Sequence, residues 1–136
     1  MSNKPTIVEE WIQKGENDLK NSKVLLQEGG TVDAICFHSQ QAVEKYLKAI
    51  LAFNYVPVRK IHSLVALAKQ GAQKEPALLE HMKSYKILEA YYIESRYPPE
   101  TRVYEQEEGE TAYNLANEII SSIKHLLKKP IRPRKS

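Results

Sequence analysis

A chain of 136 residues with 42% hydrophobic content has the size of one domain and enough apolar side chains for a core, which argues against both a disordered segment and a multi-domain protein. Its net charge of +3 is too mild to declare a nucleic-acid surface, although Lys128, Lys129, Arg132, Arg134 and Lys135 crowd the C-terminus and Glu105, Glu107, Glu108 and Glu110 cluster before it. The single cysteine, Cys36, excludes an intrachain disulfide and a multi-cysteine zinc site, and no stretch approaches the roughly 18 uncharged residues of a membrane span, so the composition predicts a soluble protein of the reducing cytoplasm.

From Thr6 to about Glu28, Val8, Trp11, Ile12, Gly15, Leu19, Ser22 and Leu26 recur at three-and-four spacing and predict a first helix, closed by Gly29-Gly30. Thr31 can cap a second helix over about Val32 to Phe53, whose stripe is Ile35, Ala42, Val43, Tyr46, Ile50 and Phe53 and which should be the central one. Pro57 breaks the pattern, and a short third helix follows from about Ile61 to Gly71. Pro76 suits the first turn of a fourth, with Leu78, Met82, Tyr85, Leu88 and Tyr92 inward, running to Arg96 before Tyr97-Pro98-Pro99 stops it. A last helix carries Ala112, Ala116, Ile119, Ile123 and Leu126 and ends near Lys129, with acidic residues at its start and lysines at its end to match the macrodipole. No window alternates as strands do and no repeat is present, so the expected fold is an all-α, up-and-down bundle of four to five helices over residues 1–129, followed by a basic tail at 130–136.

Within "FHSQQAVEKYLKA" of helix two, His38, Gln41 and Lys45 share one edge of the apolar stripe. That edge is either a solvated flank, with the lysine stem covering apolar surface, or a ligand-facing surface. Glu44 points further round, to solvent or to Lys48 one turn on. At the start of helix three, Arg59, Lys60 and His62 gather beside the free N–H groups of a helix N-terminus, a place that welcomes anions. Metal-free phosphate chemistry would need a histidine and a cation together, which Arg96 with His62 or His38 supplies only if folding joins them. His81 and His125 have no acidic or cysteine neighbours at ligand spacing, and no phosphate loop, serine elbow or carboxylate pair is present, so neither a metal nor a cofactor is expected.

Taken in order, "FHSQQAVEKYLKAIL", "KIHSLVAL" and "YYIESRYPPE" resemble the HEPN domain family of prokaryotic helical proteins, over about residues 6–128. The combination carries the resemblance: Gln-x-x-Glu-Lys-x-x-Lys-Ala from Gln41, Lys-x-His-x-Leu from Lys60, and Arg-Tyr-Pro from Arg96. It implies a helical bundle, usually a homodimer, often partnered by a minimal nucleotidyltransferase in toxin–antitoxin-like or defence modules. Many family members are metal-independent RNases that use an arginine followed four to six residues later by a histidine. Here Arg96 is followed by no histidine through Arg102, and His62 stands only three residues after Arg59, so that mechanism is not carried over and the chain leans away from being an enzyme. The matching positions, Gln41, Glu44, Lys45, His62, Arg96 and Tyr97, are implied to bind a nucleotide or RNA. Three functions follow: a dimeric protein that binds a nucleotide, a nucleic acid or a nucleotidyltransferase; a metal-independent RNase toxin using Arg96 and His62; or a structural, antitoxin-like subunit without ligand. Dimerisation is also expected from Tyr85, Tyr91 and Tyr92, which face more than one direction on helix four, unless Tyr91 simply lies along the surface with its hydroxyl in water.

Overall fold

The computed structural model describes residues 6–95 and 103–128; Thr6 and Ser63 cap their helices through the side chain, whereas Thr31, at the start of the second helix, makes no side-chain cap bond. Thr6 opens α1 (Ile7–Gln27) by accepting the Glu9 amide at 3.1 Å, and Gly29, at φ 76°, lets the chain leave it. Helix α2 (Val32–Phe53) follows Thr31 and closes on Asn54, whose side-chain amide donates to the Ile50 carbonyl at 3.0 Å. Ser63 caps α3 (Leu64–Gly71) by accepting the Ala66 amide. A 3-10 helix (Pro76–His81) leads into α4 (Met82–Ser95), and α5 spans Gln106–Leu127. Among the described residues there is no strand, and the fold is an all-α bundle.

Contacts fix the directions. The buried Ser22 and Ser39 hydroxyls meet at 2.7 Å and the Lys48 ammonium stands over the Trp11 ring, so α1 and α2 run antiparallel. Gly109 lies against Ile35 while Lys124 sits over Tyr46, so α5 runs parallel to α2. Tyr91 donates to Glu108 at 2.8 Å and His81 pairs with Ser122 at 3.0 Å, which sets α4 antiparallel to α5. Helix α2 touches each of the other four α-helices, and its side chains Tyr46, Leu47, Ile50 and Leu51 form the middle of the core.

Four expectations shift. Helix α3 begins at Leu64 instead of Ile61, because Ser63 takes the cap and leaves Ile61 and His62 before the helix. The expected single helix from Pro76 opens as a tighter 3-10 stretch, in which Tyr85 reaches back to donate to the Leu78 carbonyl at 2.8 Å. Helix α5 starts at Gln106, well ahead of the apolar positions from Ala112 on that mark it in the sequence, with Glu107 and Glu108 in its first turn as the acidic entry expected. Tyr85 and Tyr91 are buried within the bundle, and Tyr91 turns its hydroxyl to Glu108 and not to water; they are not surplus aromatic surface. The Pro-Pro stop and the tail at 130–136 lie outside the described residues.

Gly15 is the close-approach point of the α1–α2 seam. A Cβ there would lie 2.6 and 2.8 Å from two ring carbons of the buried Tyr46 and 3.3 Å from the Ala42 carbonyl, whereas one on Gly109 would meet Ile35 and Val32 at an ordinary 3.4 to 3.5 Å. Gly15→Ala should therefore destabilise by about 1–3 kcal/mol through overpacking. Gly109→Ala should be neutral or stabilising by up to about 1 kcal/mol through helix propensity. Urea denaturation of the two variants checks the contrast, and equal stabilities would refute the close packing.

Candidate functional site

Three buried polar residues of α2 form a spine one turn apart, Gln40, Glu44 and Lys48, flanked on the same helix by the half-buried Gln41 and Lys45. Because α2 is covered on several sides, this spine is enclosed, and Glu44 has no exposed surface. That overturns the expectation that Glu44 points to solvent; its pairing with Lys48 is present, at 3.1 Å to Oε2. A buried carboxylate needs partners to stay charged. Lys45 adds a second ammonium 3.4 Å from Oε2, and His62 Nδ1 lies 3.0 Å from Oε1. Gln40 also donates to Oε1, at 3.4 Å.

The cluster closes on itself. Lys45 donates to Gln41 Oε1 at 3.0 Å, Gln41 donates to Gln40 Oε1 at 2.7 Å, Gln40 donates to Glu44, and Glu44 accepts from Lys45. The ring ties the side-chain amides to both charges and holds Lys45 at the mouth. Burial alone would push the Glu44 carboxyl up, but the charges of Lys45 and Lys48, with hydrogen bonds from Lys48 and His62, outweigh it and hold the carboxyl below the usual glutamate range.

His62 is fixed twice. Its Nδ1 faces the carboxylate, which requires the proton there and turns Nε2 outward, and its ring stacks on Tyr92 with centroids 4.2 Å apart and planes at 21°. The side chain is still 46% exposed. Lys48, in contrast, is directed inward, its ammonium 5.3 Å from the centre of the Trp11 ring. The site is thus built from α1, α2, the residues before α3, and α4.

Of the residues singled out in the sequence, Gln41, Glu44, Lys45 and His62 come together here. His38 does not join them: it pairs with Asp18 of α1 at 3.1 Å. Arg59 and Lys60 are exposed on the connection before α3. The anion expected at the N-terminus of α3 is the protein's own Glu89, whose Oε1 accepts from Ser63 Oγ at 2.9 Å and from the Val65 amide at 3.2 Å. Arg96 and Tyr97 lie outside the described residues; Tyr92, four positions before Arg96, is the last part of α4 seen to touch the cluster. Gln40 and Lys48 escape a stripe-based reading of α2, although their spacing at one turn either side of Glu44 is a visible signal. Among the described residues no group of three or more histidine, cysteine, aspartate or glutamate side chains could hold a metal, and no helix is long and apolar enough to cross a membrane.

The HEPN domain family model matches residues 8–126. A protein of Methanocaldococcus jannaschii named "Putative toxin MJ1304" is 28% identical over 132 residues, covering 87% of this chain and 86% of its own. The crystal structure of ST0689, an archaeal HEPN homologue, superimposes with a TM-score of 0.73 at 27% identity, over 89% of this chain and 98% of that one. That of TT1696 from Thermus thermophilus gives 0.75 at 23% identity, over 87% and 96%, and so shares the fold.

Glu44→Gln should cost roughly 3 kcal/mol or more, because it leaves Lys48 enclosed without its counter-charge, and adding Lys48→Met should recover most of the loss. The depressed Glu44 value makes its contribution fully present above the unfolded glutamate value of about 4.3 and lost as pH falls through the lower folded value. Stability followed by denaturant titration should therefore fall on acidification through that window more steeply in the parent than in Glu44→Gln. Parallel pH profiles would refute the buried ionised carboxylate.

Proposed function

The chain belongs to the HEPN domain family, and from that premise we propose that it is a toxin-like member that binds a nucleotide or nucleic acid through phosphate at the mouth formed by Lys45 and His62. The observation that carries this reading is the enclosed Glu44 carboxylate facing two lysines and a doubly fixed histidine. Two ammonium groups against one carboxylate leave a positive surplus, and the groups nearest solvent, Lys45 and the His62 Nε2 edge, are the donors an anion would meet. The archaeal relative's name supports a toxin-like role and with it an antitoxin as partner; a minimal nucleotidyltransferase in that place is part of the proposal.

The same geometry supports a second reading. A carboxylate that orients an imidazole through Nδ1, on a side chain still open to solvent, is an acid–base arrangement suited to metal-independent RNA cleavage, the reading in which His62 would act with Arg96, a residue outside the described ones. Calorimetric titration with nucleotides and short RNA separates these from a ligand-free structural subunit: binding should weaken at least tenfold in Lys45→Met and in His62→Gln, with circular dichroism unchanged. Absence of binding would leave the structural subunit. RNA incubated with chelator should remain intact; cleavage lost in His62→Gln would instead establish the RNase.

We also propose a homodimer, through the outward face of α4. With Tyr85 and Tyr91 buried, the support is Ile87, Ala90 and Ile93, exposed at three-residue intervals and so spread over an arc of about 120° of α4. Light scattering at micromolar concentration should give twice the chain mass, and Ile87→Asp with Ile93→Asp should halve it. A monomeric parent would exclude the dimer.

A further inference from the structure

A cleft of about 370 Å³ lies between the 3-10 helix and the end of α5 and shares no residue with the Glu44 cluster. Its lining includes the buried Leu78 and Leu126 and the polar His81, Ser122 and His125. His81 Nε2 stands 3.0 Å from Ser122 Oγ, within the range of a nucleophile and its base. With the imidazole proton on Nδ1, Nε2 accepts the bond from the serine hydroxyl. The His81 ring is set edge-on against the fully buried Tyr85, with centroids 6.2 Å apart and planes at 71°, and Tyr85 is itself tied to the Leu78 carbonyl. The base is thus held by the core, while Ser122 remains exposed to an incoming reactant.

The lining also bears on what could react there. Among the described residues it carries one carboxylate, Glu80, and no lysine or arginine, which disfavours a phosphate and leaves a neutral substrate. The volume is at the small end for a ligand site, and the leucine side chains suit a short apolar group. His125, three residues after Ser122 on α5, leans back over the preceding turn as helical side chains do. It brings a second imidazole N–H to the cleft, the kind of donor that charge developing on a carbonyl oxygen requires.

We propose that Ser122 is a nucleophile activated by His81, and that the cleft takes a neutral carboxylic ester with a short apolar acyl group. Ser122 Oγ bonds to the carbonyl carbon and its proton passes to His81 Nε2. The bond from that carbon to the alcohol oxygen breaks, the departing oxygen takes the proton from Nε2, and the serine is left acylated. The parent protein should be incubated with p-nitrophenyl butyrate, the released nitrophenol followed by absorbance, and the acyl group located by peptide mass spectrometry after acid quenching. One butyryl group per chain is expected on Ser122, formed in the folded protein and not in urea, and formed faster than acetyl by roughly fourfold per added methylene. His81→Ala and His81→Gln should each slow the reaction at least about a hundredfold with circular dichroism unchanged. Free imidazole should restore part of the rate in His81→Ala, a rescue that a structural role would not give. No acylation of Ser122, equal acylation of Ser121, or the same Ser122 rate in urea or in both His81 variants would overturn the assignment.

Discussion

A carboxylate shut away from water on the most enclosed helix of a bundle constrains everything packed around it. Glu44 can remain ionised there only if cations and donors come to it, and they come from three directions: Lys48 from the same helix toward α1, Lys45 from the neighbouring position, and His62 from the residues that precede α3. The cap at Ser63, which ends the connection and starts α3 late, is what allows His62 to turn back to α2. The position of α4 is tied to the same centre through Tyr92, and that of α1 through Trp11. Replacing such a centre by apolar side chains often costs nothing in stability. Its presence in a bundle with ample apolar contact therefore points to a use beyond holding the helices together.

The fold is legible because each helix carries a three-and-four apolar spacing and stops at glycine, proline or a cap. Where a helix has one buried side, as α1 and α5 do, the stripe and the burial agree: Gly15, Leu19 and Ser22 in one, Ala112, Ala116, Ile119 and Ile123 in the other. Helix α2 defeats that logic, since a helix touched by four others has no solvent face at its middle. Periodicity then understates burial, and Glu44, off the stripe, reads as a surface residue although it is enclosed. Tyr91 fails similarly: it lies beside the α4 stripe but packs toward α5.

The candidate site is half legible. Spacing on α2 groups Gln41 with Lys45, because neighbours one turn apart must lie together. It also groups His38 with them, yet the side chain of His38 answers Asp18 across the α1 seam, an interaction between elements that no local pattern encodes. His62 stands out in the sequence as part of a basic run, but its actual role depends on a carboxylate eighteen residues earlier. Glu89 illustrates the converse, a free-looking helix N-terminus already served by a carboxylate from α4.

Trp11 is the chain's single tryptophan, and it stands over the ammonium that neutralises the enclosed carboxylate from within. Indole emission responds to nearby charge, and the centre of the ring lies 5.3 Å from the Lys48 ammonium and 5.3 Å from that of Lys14, so its emission reports on both. No label is needed to follow, from α1, the ammonium that faces the enclosed carboxylate.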